Sequence, residues 1–364
     1  MAVSKISSED TINKMNRLGR KIVEEVKNME NPSIDIPIRS LSNVIFDPNT
    51  KSLSLGDKVS KRHYFNVAHA KPFMQTLLVA AATKGLVKDN LHTSLRDLFY
   101  MLKRTLPNSQ ENTFDDQSES DDIIVDLEVT LDTLREKLHL NADIRGRVVG
   151  NVVIEDRGDE INWSKLGSGG WAIPSNVEDV QVKKVKADYI LVIEKNAAFE
   201  RLHEDKFWQS QNCILITTQG QAARGTRRLI QRLSTEYDLP VYIFTDADSY
   251  GWYIYSVIKY GSIGLAHVSE KLGTPHAKFI GLTLSDIEEF GLQDFTIKAE
   301  DVDLKRAQEM LNYDWFKAPE WQTELKLMLK KKYKAELESL SGKGLKFVTE
   351  KYLPKKIKSK DFLP

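Results

Sequence analysis

The chain has 364 residues, 41% hydrophobic and 29% charged, enough for two or three domains with real cores. Its 52 basic and 52 acidic residues cancel, so any case for nucleic acid rests on local clusters and not on overall charge. The single Cys213 excludes an internal disulfide framework and a cysteine zinc site, and no apolar run approaches the roughly 18 residues of a membrane span. The opening MAVSKISSEDTINKM lacks an apolar signal core, which leads us to expect an intracellular protein.

Residues 1–70 read as an adaptor region. An amphipathic helix is predicted over Ile12 to Met29, followed by strand, turn and strand with Asp47-Pro48-Asn49 as the breaker. Residues 71–165 change character. PFMQTLLVAAATKGLV predicts a helix stopped near Gly85, and Thr93 or Ser94 caps the next helix, SLRDLFYMLKRTL, which ends before Pro107. From Thr105 to Leu134 there is no Lys or Arg and there are nine acids; the second half, SESDDIIVDLEVTLDTLREKL, is helical by period. RGRVVGNVVIED and EINWS then predict a β-hairpin about Asp156-Arg157-Gly158-Asp159. Helices followed by a hairpin is the order of a winged helix.

The short loop Gly167-Ser168-Gly169-Gly170 marks a plausible boundary, and residues 166–364 form the last region. Four short apolar runs, YILVI, CILIT, VYIF and FIGL, alternate there with helical segments, the pattern of a mainly parallel sheet. Ser285-Asp286-Ile287-Glu288 reads as a capping box. The tail from residue 321 is helical and basic, with twelve Lys against five acids.

Three constellations bear on chemistry. Glu194 follows YILVI, and Asp246 and Asp248 follow VYIFT; ligands gather at the carboxyl ends of parallel strands, and three carboxylates suit Mg²⁺. The plainer alternative is loop acids or helix caps. Second, Leu95, Leu98, Phe99 and Leu102 form a core stripe, while Arg96, Tyr100, Lys103 and Arg104 share the other face. A phenol with a pKa near about 10 is a poor nucleophile, and cations stabilise both phenolate and a phosphoryl transition state. The alternative is a surface tyrosine lying along Lys and Arg stems. Third, Arg224, Arg227, Arg228 and Arg232 lie on one side of a helix; Arg forks suit phosphates, and ion-paired solvation is the equal alternative. No phosphate-binding GxxxxGK[ST] loop, GxSxG or HExxH is present.

Together RDLFY ending at Tyr100, FDDQSESDDIIVDLE, DYILVIEKNAAF, GQAARGTRR and FTDADSYGWYIY resemble the A subunits of type IIB DNA topoisomerases (topoisomerase VI), the family that includes the meiotic double-strand-break protein. The likeness runs from about residue 70 to 300. It implies an α/β, multidomain α+β chain: a winged-helix (CAP-like) domain over 71–165, then a Toprim domain with a mainly parallel sheet and a helical basic end over 166–364. The family pattern R-[DE]-x-[FY]-Y opens here on Arg96 and ends on Tyr100, which makes Tyr100 the nucleophile and Arg96 its catalytic companion. Position 99 is Phe, and Ser249 replaces the usual Pro after the second Asp. The family's metal acids map to Glu194, Asp246 and Asp248; Lys103, Arg104, Arg224, Arg227 and Arg228 would meet DNA.

The resemblance further implies transient double-strand cleavage through 5′-phosphotyrosine bonds, passage of a second duplex, and resealing. Two copies would act, Tyr100 of one with Glu194, Asp246 and Asp248 of the other. ATP would sit on a separate B subunit of the GHKL type in an A2B2 assembly, in the cytoplasm at the nucleoid. GQAARGTRR and FDDQSES favour the archaeal topoisomerase branch. A Toprim nuclease without a covalent intermediate, or a meiotic-type break factor, are the rival expectations.

Overall fold

The computed structural model describes residues 2–364, with side chains from residue 8 onward. It divides into two units, Met1–Val44 with Leu55–Asp143, and Ile45–Ser54 with Ile144–Pro364.

The first unit opens with helix α1 (Ala2–Lys27), which buries Met15 and Ile22. Strand β1 (Ser33–Pro37) pairs antiparallel with β2 (Val59–His63). Helix α2 (Val67–Asp89) does not stop at Gly85 as expected. Leu86 and Val87 are still buried, and the stop is Asn90, left-handed at φ 53°, whose N–H closes onto Leu86 and Val87 carbonyls. One glycine costs a helix only about 1 kcal/mol, which continued packing offsets. Helix α3 (Leu95–Leu102) is capped by Ser94, which accepts from the Asp97 N–H at 3.0 Å. It ends earlier than its period suggested because the chain folds back: Thr113 Oγ1 donates to the Leu102 carbonyl at 2.6 Å and accepts from the Arg104 N–H at 3.0 Å.

Helix α4 (Gln117–Thr130) starts on Asp116, and the acidic run is largely spent on structure. Asp116 accepts from the Glu119 N–H, and Asp126 pairs with both Arg39 and Arg62. The helix breaks at Asp132, φ 44°, so Arg135–Leu138 is a 3-10 turn and not a continuation. Leu98, Phe99, Leu102, Phe114, Ile123, Ile124 and Leu127 share one core with Met15 and Val79.

The second unit begins with β3 (Arg147–Val149), β4 (Val152–Asp156), β5 (Asp159–Asn162), β6 (Trp171–Ala172) and β7 (Gln181–Val185). Strands β4 and β5 are the predicted hairpin, but they stand in this unit, with β7 on the other edge of β4. They follow the helices in sequence without joining their unit. The Gly167–Gly170 loop also lies inside this unit.

Then β8 (Tyr189–Ile193), β9 (Cys213–Thr217), β10 (Val241–Phe244) and β11 (Lys278–Gly281) alternate with α5 (Asn196–Glu204), α6 (Arg224–Tyr237) and α7 (Ser249–Tyr260). The six-stranded sheet runs β6-β3-β9-β8-β10-β11. Its last four strands are parallel, and β3 and β6 close the other edge antiparallel. Every residue of β8 and β9 is buried, as continuous apolar strands require.

Beyond the sheet come α8 (Leu284–Glu289), α9 (Asp301–Met310), α10 (Pro319–Lys331) and α11 (Leu353–Ser359). The capping box of α8 sits two residues before the predicted one, on Thr283 and Asp286. Ser285 is instead drawn to Glu324. Trp321 of α10 packs on Tyr255 and Phe279 with ring centroids 5.2 and 5.0 Å away. Leu363 exchanges backbone hydrogen bonds with Phe279, and Lys356 is buried between Asp286 and Asp361, so the basic tail is part of the packed unit. No helix among the described residues is long and apolar enough to cross a membrane.

Candidate metal centre and nucleophile

Strands β8 and β10 are neighbours, and the ladder continues one step past them: the Glu194 N–H donates to the Phe244 carbonyl at 3.0 Å. This puts Glu194 and Asp246 side by side at the carboxyl end of the sheet. The Asp246 N–H donates to Glu194 Oε2 at 3.2 Å. Asp246 is nearly buried; its Oδ1 accepts from the Leu337 N–H at 2.8 Å and its Oδ2 lies 3.1 Å from Lys195 Nζ. Asp248 caps α7, accepting from the Gly251 N–H at 2.7 Å. Position 251 requires glycine, since a Cβ there would lie 2.5 Å from the Asp246 carbonyl oxygen.

Burial pushes the Glu194 carboxyl up to about 8, with the Asp246 charge adding to the rise. Burial also raises Asp246, to about 6, against the pull of Lys195 and the Leu337 amide. Asp248 is raised by burial against its cap hydrogen bond and Lys334. Burial alone would lower Lys195, but Asp246, Glu338 and Glu336 outweigh it and hold the ammonium above its ordinary value.

The donor set fits a divalent hard cation: three carboxylates, two of them raised by shielding and mutual repulsion that a metal would reverse. The spacing is open. Among the described residues, the one trio of acids with oxygens within 4.8 Å of one another is Asp286, Glu289 and Asp361, and lysines fill it: Lys356 pairs with Asp286 and Asp361, Lys355 with Glu289. Glu194 and Asp246 come together and Asp248 is turned to its cap. Mg²⁺ needs only one or two carboxylates because it keeps several waters.

In the first unit the two faces of α3 separate cleanly. Leu98, Phe99 and Leu102 are buried, and Tyr100 is 60% exposed. Arg96 and Arg104 are exposed and, among the described residues, form no ion pair. Lys103 turns back over the Phe99 ring, 5.2 Å from its centroid, and donates to the Asp115 carbonyl at 3.0 Å.

Three family models match. The Toprim domain of the topoisomerase 6 A subunit and Spo11 covers residues 189–357, "Type IIB DNA topoisomerase" covers 71–140, and "All-beta domain in DNA topoisomerase VI alpha subunit" covers 145–186. The chain is 50% identical to the A subunit of type 2 DNA topoisomerase 6 from Pyrococcus abyssi over 366 residues, 98% of this chain and 96% of that one. The chain belongs to the family of topoisomerase 6 A subunits. The corresponding proteins of Pyrococcus horikoshii, at 49% over 98% of this chain and 96% of that one, and Methanocaldococcus jannaschii, at 40% over 98% and 97%, are similar.

The all-β match gives the β4–β5 hairpin a place of its own within this family, beside β7. The basic helix α6 differs from an open phosphate surface. Arg224 and Arg227 are nearly buried, at 8% and 3% exposure. Arg228 grips Glu178, with Nη2 3.0 Å from Oε2, and holds that carboxyl below its usual range. Arg232 is bound to Glu236 and to the Val180 carbonyl.

Residues missed by the sequence reading are Lys195, Gly251, Glu336, Leu337 and Glu338. Gly251 had a local signal, since an Asp N-cap three residues earlier needs its N–H close. Lys195 had only adjacency to Glu194. The segment around Leu337 had none.

Proposed function

We infer that this chain is the DNA-cleaving A subunit of an ATP-dependent type IIB DNA topoisomerase. The observation that carries the reading is likeness over nearly the whole chain to proteins bearing that name. We propose that residues 71–165 act as a winged-helix-type cleavage domain and residues 166–364 as the Toprim domain, whose parallel strands hold the acids. Tyr100 is supported as nucleophile by its exposure on a helix whose opposite face is anchored in the core. Its oxygen attacks a backbone phosphorus, the P–O3′ bond breaks, and the phenol's proton leaves while the departing 3′ oxygen gains one. The product is a 5′-phosphotyrosine, which keeps the bond energy for resealing.

Arg96 and Arg104, exposed on the same helix, would offset charge at the phosphate, with Lys103 nearby on the Asp115 carbonyl. Arg228, and the nearly buried Arg224 and Arg227, would reach DNA only after local rearrangement. Glu194, Asp246 and Asp248 would hold Mg²⁺, which when bound supplies positive charge and Lewis acidity beside the phosphate. Glu194 and Asp246 are fixed for this by the β8–β10 ladder and their mutual hydrogen bond. ATP would be bound by a separate B subunit, with two copies of this chain supplying two nucleophiles for two strands in an A2B2 assembly.

Supercoiled plasmid, Mg²⁺, ATP and the ATPase partner should give relaxation, and detergent should trap covalent protein–DNA adducts. Tyr100→Phe should bind DNA but form no adduct. Undiminished adducts from that variant would remove Tyr100 as nucleophile, and cleavage without any adduct would favour a Toprim nuclease.

A further inference from the structure

Residues 335–338 return to the Asp-Ala-Asp turn from the far end of the unit. Ala247 donates to the Ala335 carbonyl at 2.8 Å, and the Ala335 N–H donates back at 3.2 Å. This two-way bridge lays the next residue but one, Leu337, on Asp246 Oδ1. The other oxygen of Asp246 is held by Lys195 Nζ at 3.1 Å. The same ammonium lies 3.1 Å from Glu336 Oε2 and 3.0 Å from Glu338 Oε2. The three acids differ in setting. The Asp246 side chain is 8% exposed, whereas those of Glu336 and Glu338 are 53% and 49% exposed. Lys195 therefore stands between one buried acid and two that face water.

A divalent cation binding Asp246 would meet an ammonium already on that carboxylate. Two cations so close repel strongly, because the buried side of the site screens them poorly. The ammonium has somewhere to go: Glu336 and Glu338 already contact it and lie on its solvent side. We propose that Lys195 is the internal counter-ion of Asp246 that the metal displaces, and that Glu336 and Glu338 receive the displaced ammonium and so set the metal affinity of the site. Lys195 is then a positioning residue, acting through Asp246. The inference rests on the metal reading of Glu194 and Asp246.

The signs are opposite for the two partners. Removing the lysine charge removes the competitor, so metal binds more tightly. Removing the two outer acids leaves Lys195 to Asp246 alone, so metal binds more weakly. Once the lysine charge is gone, the outer acids have little left to do.

Mn²⁺ binding to the intact chain, followed by electron paramagnetic resonance without DNA or ATP, tests this. Lys195→Met should bind about tenfold more tightly, the scale of one nearby opposing charge partly screened. Lys195→Arg should stay near wild type. Glu336→Gln with Glu338→Gln, both on half-exposed side chains that pose little risk to folding, should bind several-fold more weakly. In the triple variant with Lys195→Met most of that weakening should vanish, a non-additivity that direct ligation by Glu336 or Glu338 would not produce. Unchanged or weaker binding by a folded Lys195→Met, unchanged binding by the double glutamine variant, or full weakening in the triple variant overturns the proposal. Absence of binding in wild type, or wild-type binding by Glu194→Gln and Asp246→Asn, instead overturns the metal reading beneath it.

Discussion

Without metal, Glu194 makes the second unit lose stability as pH rises through the near-neutral range. Its carboxyl is raised from 4.5 to about 8 in the folded chain, and that of Asp246 from 3.8 to about 6. Between the unfolded and folded values the native state holds protons that the unfolded chain has released. The stabilisation is complete below the unfolded pKa and is lost as pH rises toward the folded one. One proton held across the window corresponds to about 1.4 kcal/mol per pH unit. From about pH 5.5 to about pH 7, Glu194 alone should therefore cost about 2 kcal/mol, and Asp246 somewhat under about 1 kcal/mol more. The window stops there because burial holds the Lys259 ammonium down at about 7. Above that pH Lys259 is neutral in the fold and charged in the unfolded chain, which works in the opposite direction.

The assay is urea unfolding in excess chelator, followed by tryptophan fluorescence. All six tryptophans lie in the second unit, so the signal reports the unit that carries the acids. Glu194→Gln should remove most of the slope and leave whatever the histidines contribute, and saturating Mg²⁺ should flatten it in wild type. A flat wild-type profile in chelator, or an unchanged slope in Glu194→Gln, would show that the carboxyl is not held protonated.

Phe99→Ala should cost the first unit roughly 3–5 kcal/mol by circular dichroism melting, because the ring is only 6% exposed and lies in the main core cluster of that unit. Gly251→Ala should weaken Mn²⁺ binding and destabilise the second unit by about 1–3 kcal/mol, since the new methyl collides with the Asp246 carbonyl; unchanged binding would mean the turn can yield without moving the acids. Mixing Tyr100→Phe with Glu194→Ala chains, with exchange between dimers confirmed, should restore nicking without double-strand cleavage if each site draws its tyrosine and acids from different chains. No restoration would place the tyrosine and acids of a site on one chain.

What the sequence disclosed was local or periodic. In a short helix the 3.6-residue period separates Phe99 from Tyr100 with one residue between faces, and the structure buries the first and exposes the second. The continuous apolar strands likewise announced the sheet and left Glu194 and Asp246 at its end. The failures have tertiary causes. TLSDIEE offers two capping registers, Thr283 with Asp286 and Ser285 with Glu288; Glu324 of α10 takes Ser285, and the earlier register wins. Arg228 looked like a phosphate fork because its partner Glu178 stands fifty positions away in sequence. Gly85 looked like a stop because the buried Leu86 and Val87 beyond it could not be distinguished from loop residues. The bridge between Ala247 and Ala335 joins two alanines that carry no chemical signal at all.

The open spacing of the metal acids has a common origin in how each buried charge is absorbed. Glu194 is raised to about 8 and so is protonated through neutral pH. Asp246 is matched by the Lys195 ammonium. Asp248 is matched by the start of α7, where the N–H of Gly251 meets it at 2.7 Å. Three acids thus use a proton, an ammonium and a helix N-terminus, and each partner pulls its acid in its own direction. A divalent cation must replace all three at once. It has to release the proton of Glu194, move Lys195 outward and loosen or share a cap worth about 1 kcal/mol. Metal affinity should therefore rise with pH as Glu194 gives up its proton, over the same range in which the metal-free unit loses stability. The instability of the empty site and the avidity of the loaded one are two measurements of the same buried charge.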